Sequence, residues 1–166
     1  GLVTFLLVGF DPHIRIEKSE SVNVSKLDSL EMILSNIKEI KSFSPGISEK
    51  AMIITGQINR VIIINGADDK KIGEVSGVKD KIINGKFEFD DNAETKSIIL
   101  GLTLADRLGV IKGDTIFLAS TSGMEGSILQ FANPKVMKLK VVGIFVSNNK
   151  DYDNFYAYIS LPAAQE

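Results

Sequence analysis

The chain has 166 residues, 44% of them hydrophobic and 24% charged, with 19 Lys plus Arg against 21 Asp plus Glu. A net charge of -2 leaves no basic face for neutralising phosphates, which argues against a nucleic-acid partner. The absence of Cys excludes disulfide frameworks, thiolate zinc sites and thiol nucleophiles, and one His excludes a multi-His metal site. A chain of this length forms one ordinary domain or two small lobes sharing a core, and its start at Gly1 without a signal peptide points to a piece of a longer protein.

Gly1 to Phe10 (GLVTFLLVGF) carries only Thr4 as a polar side chain. As a helix it would extend roughly 15 Å, enough for half a bilayer core, with Leu2, Phe5 and Leu6 on one side and Val3, Leu7 and Phe10 on another. Two readings follow: a buried N-terminal helix or strand, or the stub of a membrane helix entering water. Asp11-Pro12 ends the segment, because proline disfavours a helical residue before it. His13 to Glu17 then alternates and reads as a short half-buried strand. Leu27, Leu30, Ile33, Leu34, Ile37 and Ile40 form one apolar helical stripe, with Ser25 and Asp28 as a shortened capping box.

Ser42 to Glu49 contains Pro45 and Gly46 and precedes two Ile-rich runs, Ala51 to Thr55 and Arg60 to Asn65. These suit a hairpin covered on both faces, and the strand, helix, strand order predicts a split βαβ arrangement. Asp68 to Val75 reads as a helical turn. From Ser76 to Thr95 the composition turns to Lys, Asp, Gly and Asn, which places a change of lobe near Gly66. Ser97 to Leu100 is a short apolar run, and Leu104, Ala105 and Leu108 follow at helical spacing with Gly109 placed to terminate the helix. Lys112-Gly113-Asp114 is a turn, Thr115 to Ser120 a strand, Val136 to Ser147 a long strand and Phe155 to Ser160 a last one. Leu161 to Glu166 begins a helix. Between strands lies Thr121 to Lys135, a loop that combines Gly123, Gly126 and Pro134 with Met124, Ile128, Leu129 and Phe131.

The inventory for catalysis is thin. His13 is the lone imidazole, Asp68-Asp69 and Asp90-Asp91 read as solvated loop charges or helix-start residues, and Asn148 to Asp153 lacks the Gly and terminal Glu of a calcium loop. No Gly-x-x-x-x-Gly-Lys-Ser/Thr motif is present, so no cofactor or nucleotide site is expected, and Ser120, Thr121 and Ser122 have no neighbouring base. The apolar side chains of the 121–135 loop either fold back onto the sheet or project to hold another chain.

The ordered set Ile98-Ile99-Leu100-Gly101, Leu104-Ala105, Leu108-Gly109-Val110, Gly113-Asp114, Val141-Val142-Gly143-Ile144-Phe145, Tyr152-Asp153, Ala157-Tyr158-Ile159-Ser160-Leu161 and Ala164-Gln165 resembles the extracytoplasmic domain of lipoprotein-releasing ABC transporter permeases, the LolC and LolE type within the MacB-like and FtsX-like superfamily. Asp11-Pro12-His13-Ile14, Asn65-Gly66-Ala67-Asp68 and Gly85-Lys86-Phe87 extend it more loosely over the first half.

The resemblance implies an α+β, two-lobed extracytoplasmic permease domain. Residues 1–10 would be the outer end of the first membrane helix, with Leu2, Phe5, Leu6 and Phe10 membrane-proximal. Residues 11–65 and 139–166 would form a porter-like split βαβ lobe, and 66–138 an inserted, mixed α/β, sabre-like lobe. The domain would face the periplasm from the inner membrane and would be non-catalytic, its ATPase a separate subunit. The other implied partners are a second permease subunit or homodimer partner, a periplasmic lipoprotein chaperone and lipoprotein cargo. Withdrawing acyl chains from lipid costs about 0.8 kcal/mol per CH₂, which is why ATP must drive such a step. The segment just before the Val-x-Gly-x-Phe strand matches the loop that grips the chaperone in this family. It contains Met124, Ile128, Leu129, Phe131, Pro134, Lys135 and Lys138, and is richer in Gly and Ile than the family pattern. A MacB-like efflux or FtsX-like cell-division permease is the alternative.

Overall fold

The structure, a computed structural model, describes residues 2–8, 14–18, 29, 32, 33, 35, 36, 42–56, 58–75, 77–120 and 136–165. Nine strands are described: β1 Leu2–Val8, β2 Ile14–Lys18, β3 Ser42–Thr55, β4 Ile58–Ala67, β5 Ile82–Gly85, β6 Lys96–Gly101, β7 Thr115–Ser120, β8 Val136–Phe145 and β9 Tyr156–Ser160. Short helices span Ile72–Val75, Leu102–Leu108, Lys150–Phe155 and Leu161–Ala164, with a 3-10 turn at Gly77–Lys81.

The strands run in the order β2-β1-β3-β4-β9-β6-β8-β5, and β7 pairs with both β3 and β8. That double pairing closes a ring of β3, β4, β9, β6, β8 and β7. Within it β4 with β9 and β6 with β8 are parallel, and the other seams are antiparallel. A closed ring removes the free edges that an open sheet leaves to aggregation.

Period-two alternation fills the ring. Ala51 and Ile53 of β3, Ile62 and Ile64 of β4, Ile98 and Leu100 of β6, Ile116 and Leu118 of β7, Leu139 and Val141 of β8, and Ala157 and Ile159 of β9 are all buried in one cluster. Register partners join them around the wall, as in Ala51 with Ile62, Ile53 with Leu118, Ile116 with Leu139, and Ile98 with both Val141 and Ile159. The barrel interior is therefore packed core, and each fully buried Ile or Leu contributes about 1.5–3 kcal/mol of burial energy.

Helices stop the two ends. Leu102–Leu108 follows β6 directly and sends Leu104, Ala105 and Leu108 into the same cluster; Gly109, at φ 68°, ends it by donating its N–H to the carbonyls of Ala105 and Asp106. Because β9 runs antiparallel to β6, the helix that follows β9, Leu161–Ala164, lies at the opposite end, where Ala163 is buried. The turn at Lys112-Gly113-Asp114 is pinned to β8: the Gly113 N–H donates to the Val141 carbonyl at 2.7 Å, and the Val141 N–H to the Asp114 carbonyl at 2.9 Å.

A second core lies outside the barrel wall. Ala67, Ile99, Phe145 and Tyr158, on the outer faces of β4, β6, β8 and β9, are covered by Ile72, Val78 and Phe87. The Lys- and Asp-rich stretch after Gly66 thus wraps this wall. Asp69 and Asp91 help to hold it there, where solvated loop charges were expected. Asp69 Oδ2 accepts the Phe89 N–H at 2.9 Å, and Asp91 Oδ1 accepts the Ser97 N–H at 2.7 Å. Asp68 does start a helical turn, accepting the N–H groups of Lys70 and Lys71.

Several expectations change. Leu2–Val8 is a strand paired with β2 and β3, not the outer end of a membrane helix. Among the described residues no helix is long and apolar enough to cross a membrane. Val3, Thr4, Phe5 and Val8 are strand formers, and sheet pairing satisfies their backbone as a helix would. β3 begins at Ser42 and runs through Pro45 and Gly46, ahead of the Ala51 to Thr55 run where a strand was expected. Pro45 is tolerated because β3 has a partner on one side only there: β1 reaches it, whereas the pairing with β4 starts at Gly46. β1 lies between β2 and β3 and is antiparallel to both, so β2 and β3 run parallel with one strand between them, the strand geometry of the expected split βαβ unit. Ser29, Met32, Ile33 and Ser35 are helical as expected, while Leu27, Leu30, Leu34, Ile37 and Ile40 lie outside the described residues. The expected boundaries at 65/66 and 138/139 fall within the one continuous sheet.

Candidate functional site

The barrel's two ends and its outer wall are the surfaces on which function can be built. At the end stopped by Leu161–Ala164, a cavity of about 80 Å³ is lined by Ile47, Ala51, Ile64, Leu118, Met137, Ile159, Ala163 and Ala164, with Glu49 and Lys50 beside them. β7 and β8 approach this end through Leu118 and Met137, which are register partners. The expected partner-binding residues Met124, Ile128, Leu129, Phe131, Pro134 and Lys135 lie outside the described residues. Lys138 is described: it is exposed on β8, opposite Phe117 of β7. Of the membrane-proximal set, Leu2, Phe5 and Leu6 lie on β1 and Phe10 falls outside the described residues.

The outer face of the adjoining wall is apolar. Val136, Ala119, Met52 and Val61 are successive register partners across β8, β7, β3 and β4, and the next row carries Lys138, Phe117, Ile54 and Asn59. Val61 is 51% exposed and Phe117 42%. Alternation dictates this face, because each residue pointing outward is the neighbour of one in the barrel core.

Among the described residues no nucleophile is paired with a base. Ser160 and Asp91 come closest: the Ser160 hydroxyl donates to Asp91 Oδ2 and accepts the Ala163 N–H at 3.1 Å. That hydroxyl is the cap of the last helix and is spent on it, with no imidazole placed beside it; His13 lies outside the described residues. Among the described residues no group of three or more His, Cys, Asp or Glu is arranged to hold a metal ion. Asp91 also anchors Ser97 and so joins the wrapping segment to β6 and to the final helix. Asp91→Ala is expected to lower stability by about 1–3 kcal/mol, because the Ser97 N–H and Ser160 hydroxyl both lose a charged acceptor. Chemical denaturation measures it, with Asp90→Ala as the control near zero.

Sequence reasoning missed an aromatic cluster on the outer wall. Tyr152 and Tyr156 stack at 4.2 Å with 8° between their planes, Phe145 meets both Tyr152 and Tyr158 edge-on at 5.8 and 5.7 Å, and the hydroxyls of Tyr152 and Tyr158 hydrogen-bond to each other. Its signal was present: all three tyrosines of the chain fall at even positions between 152 and 158.

No protein-family model matches the sequence, and no curated protein matches it. Solved structures do. The extracellular domain of the noncanonic ABC-type transporter YknZ from Gram-positive bacteria superposes with a TM-score of 0.58 at 11% identity, over 99% of this chain and 75% of that one. A domain described as that of a permease protein from Porphyromonas gingivalis gives 0.53 at 14% identity, over 98% of this chain and 62% of that one. The chain shares its mixed α/β fold with ABC-type permease extracellular domains. At these identities the likeness is one of fold, so what the fold does here has to be argued from its surfaces.

Proposed function

We propose that this chain is the extracytoplasmic domain of an ABC transporter permease of the lipoprotein-releasing type, facing the periplasm from the inner membrane. The observation that carries the reading is the shared fold with the YknZ extracellular domain over 99% of the chain. The wrapped barrel supports it, since a rigid body with stopped ends is suited to passing on motion made elsewhere, and the spent Ser160 hydroxyl supports a non-catalytic role. In this reading residues 11–65 and 139–166 are the porter-like part and 66–138 the inserted part, the two sharing one sheet. A separate ATPase subunit supplies the energy, a second permease subunit or identical copy completes the channel, and lipoprotein cargo passes to a periplasmic chaperone. Met124, Ile128, Leu129, Phe131, Pro134, Lys135 and Lys138 form the chaperone-gripping set, and the apolar outer wall beside Lys138 extends it.

The test is purification of the intact permease from membranes. An ATPase and a lipoprotein carrier should come with it; an efflux-channel adaptor or a wall hydrolase in place of the carrier would assign the MacB-like or FtsX-like alternative instead. Phe131→Ala is expected to weaken carrier binding about tenfold or more, the effect of one apolar anchor at an interface. The melting temperature should hold to within about 1 °C, as for a substitution outside the core. A parallel loss of stability would make Phe131 a core residue and remove it from the interface.

A further inference from the structure

A cleft of about 360 Å³ opens on the outer wall between the turn Gly77–Lys81 and the segment 147–158, away from the barrel end discussed above. We propose that it binds a small aromatic anion, a planar ring carrying one carboxylate. This inference goes beyond the permease reading and does not depend on it.

Three features of the cleft point to that ligand class. Its volume falls in the range of small-molecule pockets, about 300–1,000 Å³. Its floor and wall are apolar and aromatic: Val78, Phe145 and Tyr158 are buried beneath it, and the half-buried Tyr152 ring is braced by its stack on Tyr156. Such walls favour a ring that packs offset or edge-on against them.

The third feature is the balance of donors and acceptors at the rim. The Ser147 hydroxyl is spent on Asn149, accepting its N–H and donating to its carbonyl. Asn149 Oδ1 is spent on the N–H groups of Asp151 and Tyr152. Of the other polar side chains lining the cleft, the Tyr152 and Tyr158 hydroxyls are hydrogen-bonded to each other, which leaves the amide NH₂ of Asn149 and the ammonium of Lys81, both donors. No carboxylate lines the cleft; Asp80 and Asp151 are neighbours in sequence but are exposed outside it. A rim that offers donors and one positive charge selects an anion, and the Lys81 stem can lie along the apolar wall while its head meets the carboxylate.

Gly77 supplies the means of closing the cleft. Gly77 lines the cleft and a Cβ built there meets nothing within 4 Å, so a side chain added at this position starts without a clash. The experiment titrates the 166-residue protein with cinnamate, cinnamamide and cyclohexanepropionate, followed by calorimetry and amide chemical shifts. Cinnamate should bind saturably at one site, with shifts centred on Val78, Phe145, Tyr152 and Tyr158. The uncharged amide and the non-aromatic acid should each bind about tenfold more weakly, the effect of losing one charge-assisted hydrogen bond or the ring stacking. Lys81→Ala should cost about tenfold and Lys81→Arg little, because the arginine keeps the charge. Gly77→Leu should abolish binding with the melting temperature unchanged. Absence of saturable binding, shifts centred elsewhere, equal affinity for the amide, or undiminished binding in Gly77→Leu would each overturn the proposal.

Discussion

Gly101→Ala is expected to lose about 3 kcal/mol of stability, at the upper end of what overpacking costs. Gly101 joins β6 to the helix Leu102–Leu108, and at this point the helix Lys150–Phe155 crosses close by. A Cβ on residue 101 would come within 2.1 Å of the Asp153 carbonyl oxygen and 2.6 Å of its Cα, and both obstacles are backbone. Asp153 has little room to retreat, because its carboxylate accepts the Ser147 N–H at 2.8 Å and its residue is buried. In a domain of this size the loss should appear as a fall in melting temperature of about 6–12 °C. Gly109→Ala serves as the contrast: its Cβ meets nothing within 4 Å, so its cost comes from φ 68° alone, about 1 kcal/mol. If the two variants melt together, the close crossing at Gly101 is not what the structure describes.

The elements that were legible in the sequence are those whose boundaries are set locally. β7 was read at its observed limits, β6, β8 and β9 within a few residues, and the helix Leu102–Leu108 with its Gly109 terminus, because alternation, helical spacing and a glycine stop act over a few neighbours. What was not legible is who pairs with whom. β3 and β7 are about 65 residues apart, and nothing in either run announces that Ile53 will face Leu118; that register follows from closing the ring as a whole. The same applies to β1, which is apolar enough for a helix and becomes a strand because β2 and β3 flank it. The 76–95 stretch reads as Lys, Asp, Gly and Asn with scattered Ile and Phe; in the structure Phe87 and Phe89 alternate with Glu88 as a covering segment should, and Phe87 packs edge-on against Phe89 and Tyr158. As for function, the aromatic cleft was not legible, because it needed Lys81, Asn149 and Tyr158 to be brought together by β5, β8 and β9.

Closure of the barrel makes the second large prediction. Ile53 is fully buried and comes from the strand that closes the ring, so Ile53→Ala should cost about 2–5 kcal/mol, the range for deleting a large aliphatic side chain from a core that relaxes only in part. Leu139→Ala, on β8, should fall in the same range, since its side chain belongs to the same cluster. Val61→Ala, on the outer face, should change stability by no more than about 0.5 kcal/mol. These values alone do not distinguish a closed ring from a sandwich with the same inside, but hydrogen exchange does. Phe117, Leu118 and Ala119 have register partners in β3 on one side and in β8 on the other. Successive N–H groups of a strand point to opposite sides, so in a closed ring all three amides are bonded and all three should exchange slowly. An open seam between β3 and β7 would leave alternate amides to water. Fast exchange at every second residue of this run would mean that the interior packs without the closure, and would move Ile53 from the centre of the core to its margin.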